Sequence, residues 1–229
     1  ETDRATWSRY AAPKNFLTVI ARDYTLKADG AQVLFQQGSR LQLADKKAAS
    51  YTVKVPVRTK EGKLQEEEVI LAANSSLHEG YLPYTTNNII RSAFKFYDAV
   101  YGWGGLQNSV DCSSFISNAY RTVGIFLPRN ADEQETSAGI HKKMGNMSSA
   151  QRANVVKSLT PGSTLHMDGH VMLYLGSSNE VPYAIHSLGS HYTGGTRHSV
   201  MKVVVSDLEL QKSNGNTYRD ELTTCVTFR

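Results

Sequence analysis

Between residues 16 and 71 the chain is cut into short extended runs by turn signals, and this rhythm constrains the fold of its first part more than any other feature. The runs are FLTVI, AQVLF, RLQLA, YTVKVPVR and EEEVILA, punctuated by ADG at 28–30, QGS at 37–39 and EGK at 61–63. They are β-branched or alternating, and short strands at even spacing predict a small barrel or sandwich. In YTVKVPVR, Val53, Val55 and Val57 alternate as the buried face of a strand should. The EEE run at 66–68 reads as a solvated strand end.

The texture changes near GYLPYTTNN at 80–88. Thr86 or Asn87 can cap a helix, with Ile89, Ile90, Ala93, Phe94, Tyr97 and Val100 on helical spacing. That helix is expected to end at the glycine-rich turn 102–105. A second helix is expected to begin at Asp111, with Phe115, Ile116, Ala119 and Val123 on its apolar face and Gly124 as its stop. A loop-rich stretch covers 128–147 and a short helix 149–157, followed by strand candidates STLHM, HVMLYLG, VPYAIHSLG, VMKVVVS and TTCVTF. Helices first and strands later is an α+β order. The organisation read from this is a small N-terminal β-barrel over residues 1–82 and a second domain over 83–229.

Hydrophobic residues make up 40% of the 229 and charged residues 20%. That is a globular balance. No apolar run approaches the ~20 residues that span a bilayer, so no membrane span is expected. Residue 1 is Glu and no charged-then-apolar leader follows, which fits either a removed leader or a start inside a longer chain. The net charge of +4 permits nucleic acid or an anionic cell wall. The basic residues are scattered, with DKK at 45–47 and HKK at 141–143 the densest clusters. Without a basic stripe interleaved with aromatics, nucleic-acid binding is not expected.

One stretch raises a chemical question. YGWGGLQNSVDCSSF, residues 101–115, sets Cys112 behind an acid at a helix start. With Asp111 as N-cap, Cys112 takes the first helical position, where unpaired N–H groups and the helix dipole favour a thiolate. Asp111 opposes this, since a neighbouring carboxylate raises a thiol pKa. An isolated Cys is more often a small buried hydrophobe, so a base must be found. Of seven histidines, His170 opens HVMLYLG and His186 sits in AIHSLG. If those strands pair antiparallel, a chain from Cys112 to His170 to His186 becomes available. Either histidine taken alone reads as a hydrogen-bonded or surface residue.

Other readings are bland. His166 with His170, and His186 with His191, lack the helical spacing and the H-E-x-x-H pattern of a zinc site, so no metal is expected. GWGG is not a phosphate loop, and no cofactor is expected. Cys225 reads as a core thiol, and Cys112 and Cys225 give no support for a disulfide. Trp103 reads as a packing residue beneath the turn, or as one that lines the cleft.

Together, YGWGG, DCSSF, GIFLPR, LTPGS, GHVMLYLG and AIHS resemble the NlpC family of papain-like cell-wall cysteine peptidases, in order and spacing, across residues 101–187. The resemblance implies a papain-like α+β domain with Cys112 as nucleophile, His170 as general base and His186 orienting that base. It places Tyr101 beside the nucleophile as an oxyanion or substrate contact. Asp111 and Ser113 flank the Cys as in members that grip a free amino group. It also implies a peptidoglycan stem peptide as substrate, cut between γ-D-glutamate and a diamino acid, with a free L-Ala amino terminus. Departures are Ser114, Ser163 in place of an acid, His166 in place of an aromatic, and Met172, expected to narrow the cleft floor. Arg129 and Gln134 match family positions and read as a loop salt bridge or cap.

The first ~80 residues resemble bacterial SH3-like modules, which in some family members wall one end of the cleft. A wall-binding or merely stabilising barrel is the alternative. Rival functions are a non-catalytic wall-binding protein, or a wall amidase or acyltransferase with the same Cys–His chemistry. The expected partner is peptidoglycan or its stem-peptide fragments, in the cell envelope or in cytoplasmic recycling.

Overall fold

The computed structural model describes residues 3–103 and 108–228. Gly104 and Gly105 of the expected turn lie outside the described residues. The chain divides into two compact units, one running to Tyr84 and taking in Arg121–Gly124, the other holding Thr85–Tyr120 and the chain from Ile125 onward.

The first unit is strand-rich. Helix α1 (Arg4–Ala11) precedes β1 (Phe16–Val19), β2 (Asp23–Ala28), β3 (Ala31–Gln36), β4 (Arg40–Lys47), β5 (Ser50–Arg58), β6 (Leu64–Ala72) and β7 (Leu77–Glu79). Among the described residues β6-β5-β4-β1-β7 form one sheet, and β2 and β3 form a separate hairpin. That hairpin turns at Asp29 and Gly30, both with positive φ (50° and 72°). A tight two-residue connection demands such angles at both positions. Leu17, Val19, Leu26, Leu41, Val53, Val55, Leu71 and Leu77 supply the core of this unit. The alternation in β5 is as expected, with Val53 and Val55 fully buried. Glu66 differs from the expected solvated strand end. It lies within β6, where it accepts from the Tyr10 hydroxyl at 2.8 Å and pairs with Arg9 at 3.3 Å.

The second unit is α+β. It contains α2 (Thr86–Phe94), α3 (Cys112–Arg121, whose last residue is counted with the first unit), α4 (Ala131–Thr136), β8 (Ile140–Lys143), α5 (Ser149–Lys157), β9 (Thr164–Met167), β10 (His170–Ser178), β11 (Val181–Thr193), β12 (Thr196–Asp207), α6 (Tyr218–Glu221) and β13 (Thr224–Thr227). Its strands form an antiparallel sheet in the order β12-β11-β10-β9-β13-β8. Val156, Leu159, Met172, Tyr174, Ala184, Leu188, Tyr218 and Leu222 knit α5 and α6 to the sheet. Phe115 and Ile116 of α3 are fully buried. Each contributes on the order of 1.5–3 kcal/mol by leaving water. Phe115 meets Phe96 edge-on with centroids 5.9 Å apart.

Three expectations need correction. Helix α2 starts from Thr85 as N-cap and stops at Phe94, well before the glycines. Its last turn tightens into i→i+3 bonds at Phe96 and Tyr97, Asp98 takes φ 64°, and the chain then pairs with β12 through Asp98 N–H to Val203 O. Tyr97 and Val100, counted on its apolar face, are exposed. The stretch read as loop carries α4, capped by an Asn130–Glu133 capping box, and edge strand β8. Met172 does not floor a cleft; it is fully buried in the core beside Leu165 and Tyr174.

Candidate active site

Cys112 is positioned by the start of α3. Asp111 accepts from Ser114 N–H at 2.9 Å, and Ser114 Oγ accepts from Asp111 N–H at 3.0 Å. This reciprocal cap seats Cys112 as the first helical residue. The thiol is nine-tenths buried, and burial pushes its pKa up. The backbone N–H groups of Val171, Ser113 and Cys112 itself work against that rise, while Asp111 adds to it. Burial wins, so the sulfur rests as a thiol.

Val171 follows His170, so the start of β10 lies close enough to the sulfur to act on it. The hairpin between β9 and β10 pairs Met167 with His170 across a turn that Gly169 makes at φ 69°. Glycine adopts that left-handed angle without steric cost. His170 Nε2 lies 2.8 Å from Nδ1 of His186 on β11, and His186 Nε2 lies 3.0 Å from Ser206 Oγ on β12. Tyr218 of α6 packs edge-on to both imidazoles, with centroids 6.1 and 6.0 Å away. Burial pushes His170 down to about 4 and His186 well below its ordinary value, so both rest neutral. No hydrogen bond joins Cys112 to His170 among the described residues. Such bonds are often long or misaligned before substrate arrives and tighten in the complex.

Cys112 opens onto a cavity of about 410 Å³ that also takes in Tyr101, Trp103, Asp111, Ser113, Arg129 and Asp168. A second cavity of about 220 Å³ holds His170 and Lys212 and shares Tyr101, Met167 and Asp168 with the first. Tyr101 is close enough to feel the charges of Cys112 and Asp111; burial first, then those two groups, raise its phenol. Trp103 lines this cavity and is 81% exposed, which fits the cleft-lining alternative rather than the packing one.

Asp111 is not an empty acceptor. Arg129 grips it with both terminal nitrogens, Nη1 to Oδ1 at 3.2 Å and Nη2 to Oδ2, and Ser113 Oγ donates to Oδ1 at 3.3 Å. Arg129 Nη1 also donates to Ser113 Oγ at 3.0 Å. Burial pushes the Asp111 carboxyl up, but the donors from Arg129 and Ser114 outweigh it and hold the pKa below the usual carboxylate range. Gln134, fully buried on α4, donates to Ser113 O and Pro128 O, tying α4 and the Arg129 loop to the first turn of α3. The cavity lining adds carboxylates at Asp132, Glu135 and Asp168, so acid exceeds base there.

The structure therefore gathers Tyr101, Asp111, Cys112 and Ser113 around one cavity, sets His170 on its neighbour, and puts His186 behind His170. Ser206 and Tyr218 were missed in the sequence, for nothing local marks either. Arg129 and Gln134 were noticed only as a loop bridge or cap. Such a cluster can hand a thiol proton to an imidazole held by a second imidazole, beside backbone N–H groups that can face a developing oxyanion. Among the described residues no three His, Cys, Asp or Glu side chains converge as metal ligands, and both cysteines are free.

Residues 98–206 match the model of the NlpC/P60 family. Among solved structures, an NlpC/P60 endopeptidase from Photobacterium damselae subsp. piscicida is similar, with a TM-score of 0.75 and 20% identity over 98% of this chain. This chain spans only 55% of that protein's length. An NlpC/P60 family protein from Bacillus cereus gives a TM-score of 0.65 and 16% identity, over 99% of this chain and 67% of the other. At these identities the likeness is one of fold. No curated protein matches the sequence.

Proposed function

We propose that this chain, whose residues 98–206 form an NlpC/P60 family domain, is a cysteine peptidase of peptidoglycan stem peptides. The observation that carries the reading is that Cys112 opens onto a cavity adjoining the one bordered by His170, whose imidazole is held at 2.8 Å by His186. Since the thiol is raised and His170 lowered to about 4, the resting pair is thiol and neutral imidazole rather than a preformed ion pair. The proton then moves as the sulfur attacks.

In that step the S–H proton passes to His170 and sulfur bonds to the amide carbon. The carbonyl oxygen becomes an oxyanion facing the Cys112 N–H, with the Tyr101 hydroxyl as second donor. A donor of this kind contributes on the order of 3–4 kcal/mol to the transition state. His170 next protonates the leaving amine, the C–N bond breaks, and water hydrolyses the thioester with His170 as base.

The bond we assign is that between γ-D-glutamate and a diamino acid, in a stem peptide whose L-Ala amine is free. Support for an amine comes from the excess of carboxylate in the cavity rather than from Asp111 alone, which Arg129 already neutralises. Incubating the chain with L-Ala-γ-D-Glu-diaminopimelate peptides and weighing the products tests this. Release of L-Ala-γ-D-Glu is the expected result. Stem peptide freed intact from its sugar would mean an amidase instead, and no cleavage of any bond would leave a wall-binding protein.

A further inference from the structure

The two-histidine relay does not end at His186. Its outer nitrogen, Nε2, lies 3.0 Å from Ser206 Oγ, and Ser206 Oγ donates to the Asp207 carbonyl at 2.8 Å. A carbonyl can only accept, so the hydroxyl proton is spent there and the oxygen turns a lone pair toward His186. His186 must then carry its proton on Nε2. A neutral ring protonated at Nε2 offers a bare Nδ1. The 2.8 Å contact between that Nδ1 and His170 Nε2 is therefore filled by the proton of His170. That leaves Nδ1 of His170 bare. Each direction follows from the one before it, and the chain starts at a backbone carbonyl, a group that does not titrate.

We propose that Ser206 is a positioning residue that fixes the tautomers of His186 and, through it, of His170, keeping the lone pair of His170 on Nδ1. Ser206 touches neither substrate nor thiol in this scheme; it acts through His186. The catalytic meaning of the bare Nδ1 rests on the peptidase reading above, while the tautomers themselves do not. Without the hydroxyl, the Nε2–H of a fully buried ring loses its acceptor, and the ring exchanges between tautomers or turns.

The test is ¹⁵N–¹H correlation of imidazole nitrogens in the full chain at neutral pH, for wild type, Ser206→Ala and Ser206→Thr, with kcat and KM on a stem peptide alongside. Wild type should show His186 and His170 both protonated at Nε2. Ser206→Ala should shift both rings toward mixed tautomers and lower kcat about tenfold with KM little changed. Ser206→Thr, which keeps the hydroxyl, should restore wild-type nitrogen signals and most of kcat. Wild-type His186 protonated at Nδ1, or Ser206→Ala with unaltered nitrogens, would overturn the proposal. A chain with the expected tautomers that cuts no stem peptide would defeat the peptidase reading and leave this one standing.

Discussion

The imidazoles of His170 and His186 share a 2.8 Å hydrogen bond between neighbouring antiparallel strands, with ring centroids 5.1 Å apart at 63°. One ring borders a cavity and the other is sealed in the core, so their replacement should have different signatures.

His170→Ala should lower kcat by roughly 10²–10⁴-fold, the usual worth of a general base. His186→Ala should cost less, roughly ten- to hundredfold, by loosening the base without touching substrate. Steady-state kinetics separate the two, with KM nearly constant for His186→Ala. Wild-type turnover in His186→Ala would remove it from the mechanism.

Thiol reactivity carries a second expectation. Cys112 lines a cavity while Cys225 is 1% exposed in β13, so iodoacetamide should label Cys112 alone in the folded chain. The pKa of Cys112 is raised above its ordinary value of 9.0. The thiolate is then about one per cent or less at pH 7. The labelling rate should therefore climb through pH 9. A plateau already reached near pH 6 would reveal a standing thiolate–imidazolium pair and contradict the neutral resting state.

Acid should loosen the second unit through His166. This imidazole is buried on β9 with Nε2 at 2.9 Å from Thr164 Oγ1, and burial lowers its pKa to about 4. Between about pH 4 and the unfolded value of 6.5, the unfolded chain binds the extra proton. Stability is thus full above 6.5 and falls as pH drops toward 4. The loss from this residue is on the order of 3 kcal/mol. Urea unfolding at pH 7 and pH 4.5 measures it, and His166→Phe should shrink it. An unchanged pH dependence in that variant would count against the assignment.

Charge in the cavity predicts selectivity for amines. Blocking the L-Ala amine by acetylation should raise KM more than it lowers kcat. Asp132→Asn or Asp168→Asn should do the same to the free peptide, each by a few-fold, as expected of partly screened charges. Equal kcat/KM for free and acetylated peptides would remove the amine from recognition.

Much of this architecture is legible in local chemistry, and the exceptions are long-range. The Asp111 cap announced α3 correctly, and the run at 149–157 is α5 (Ser149–Lys157) to the residue, because caps and helical starts are local events. The strands around His170 and His186 followed from alternation, although β11 and β12 continue into a longer hairpin that turns at Gly194 and Gly195. Tyr97 and Val100 misled because their spacing continues that of α2, whereas pairing with β12 pulls the chain out of the helix. Arg129 reaches Asp111 across 18 positions, and Ser206 reaches His186 across 20. Separations of that kind leave no periodic trace, so the partner that neutralises Asp111 and the hydroxyl behind the relay emerge only once the strands and the Arg129 loop are in place.

The central claim is that the sulfur of Cys112, and no other group, attacks the stem peptide. Cleavage of an L-Ala-γ-D-Glu-diamino acid peptide by wild type, Cys112→Ala and Cys225→Ala measures it directly. The account predicts that Cys225→Ala keeps near wild-type turnover while Cys112→Ala loses at least about 10³-fold, the scale on which an activated nucleophile and its base act together. Turnover by Cys112→Ala equal to wild type would contradict it.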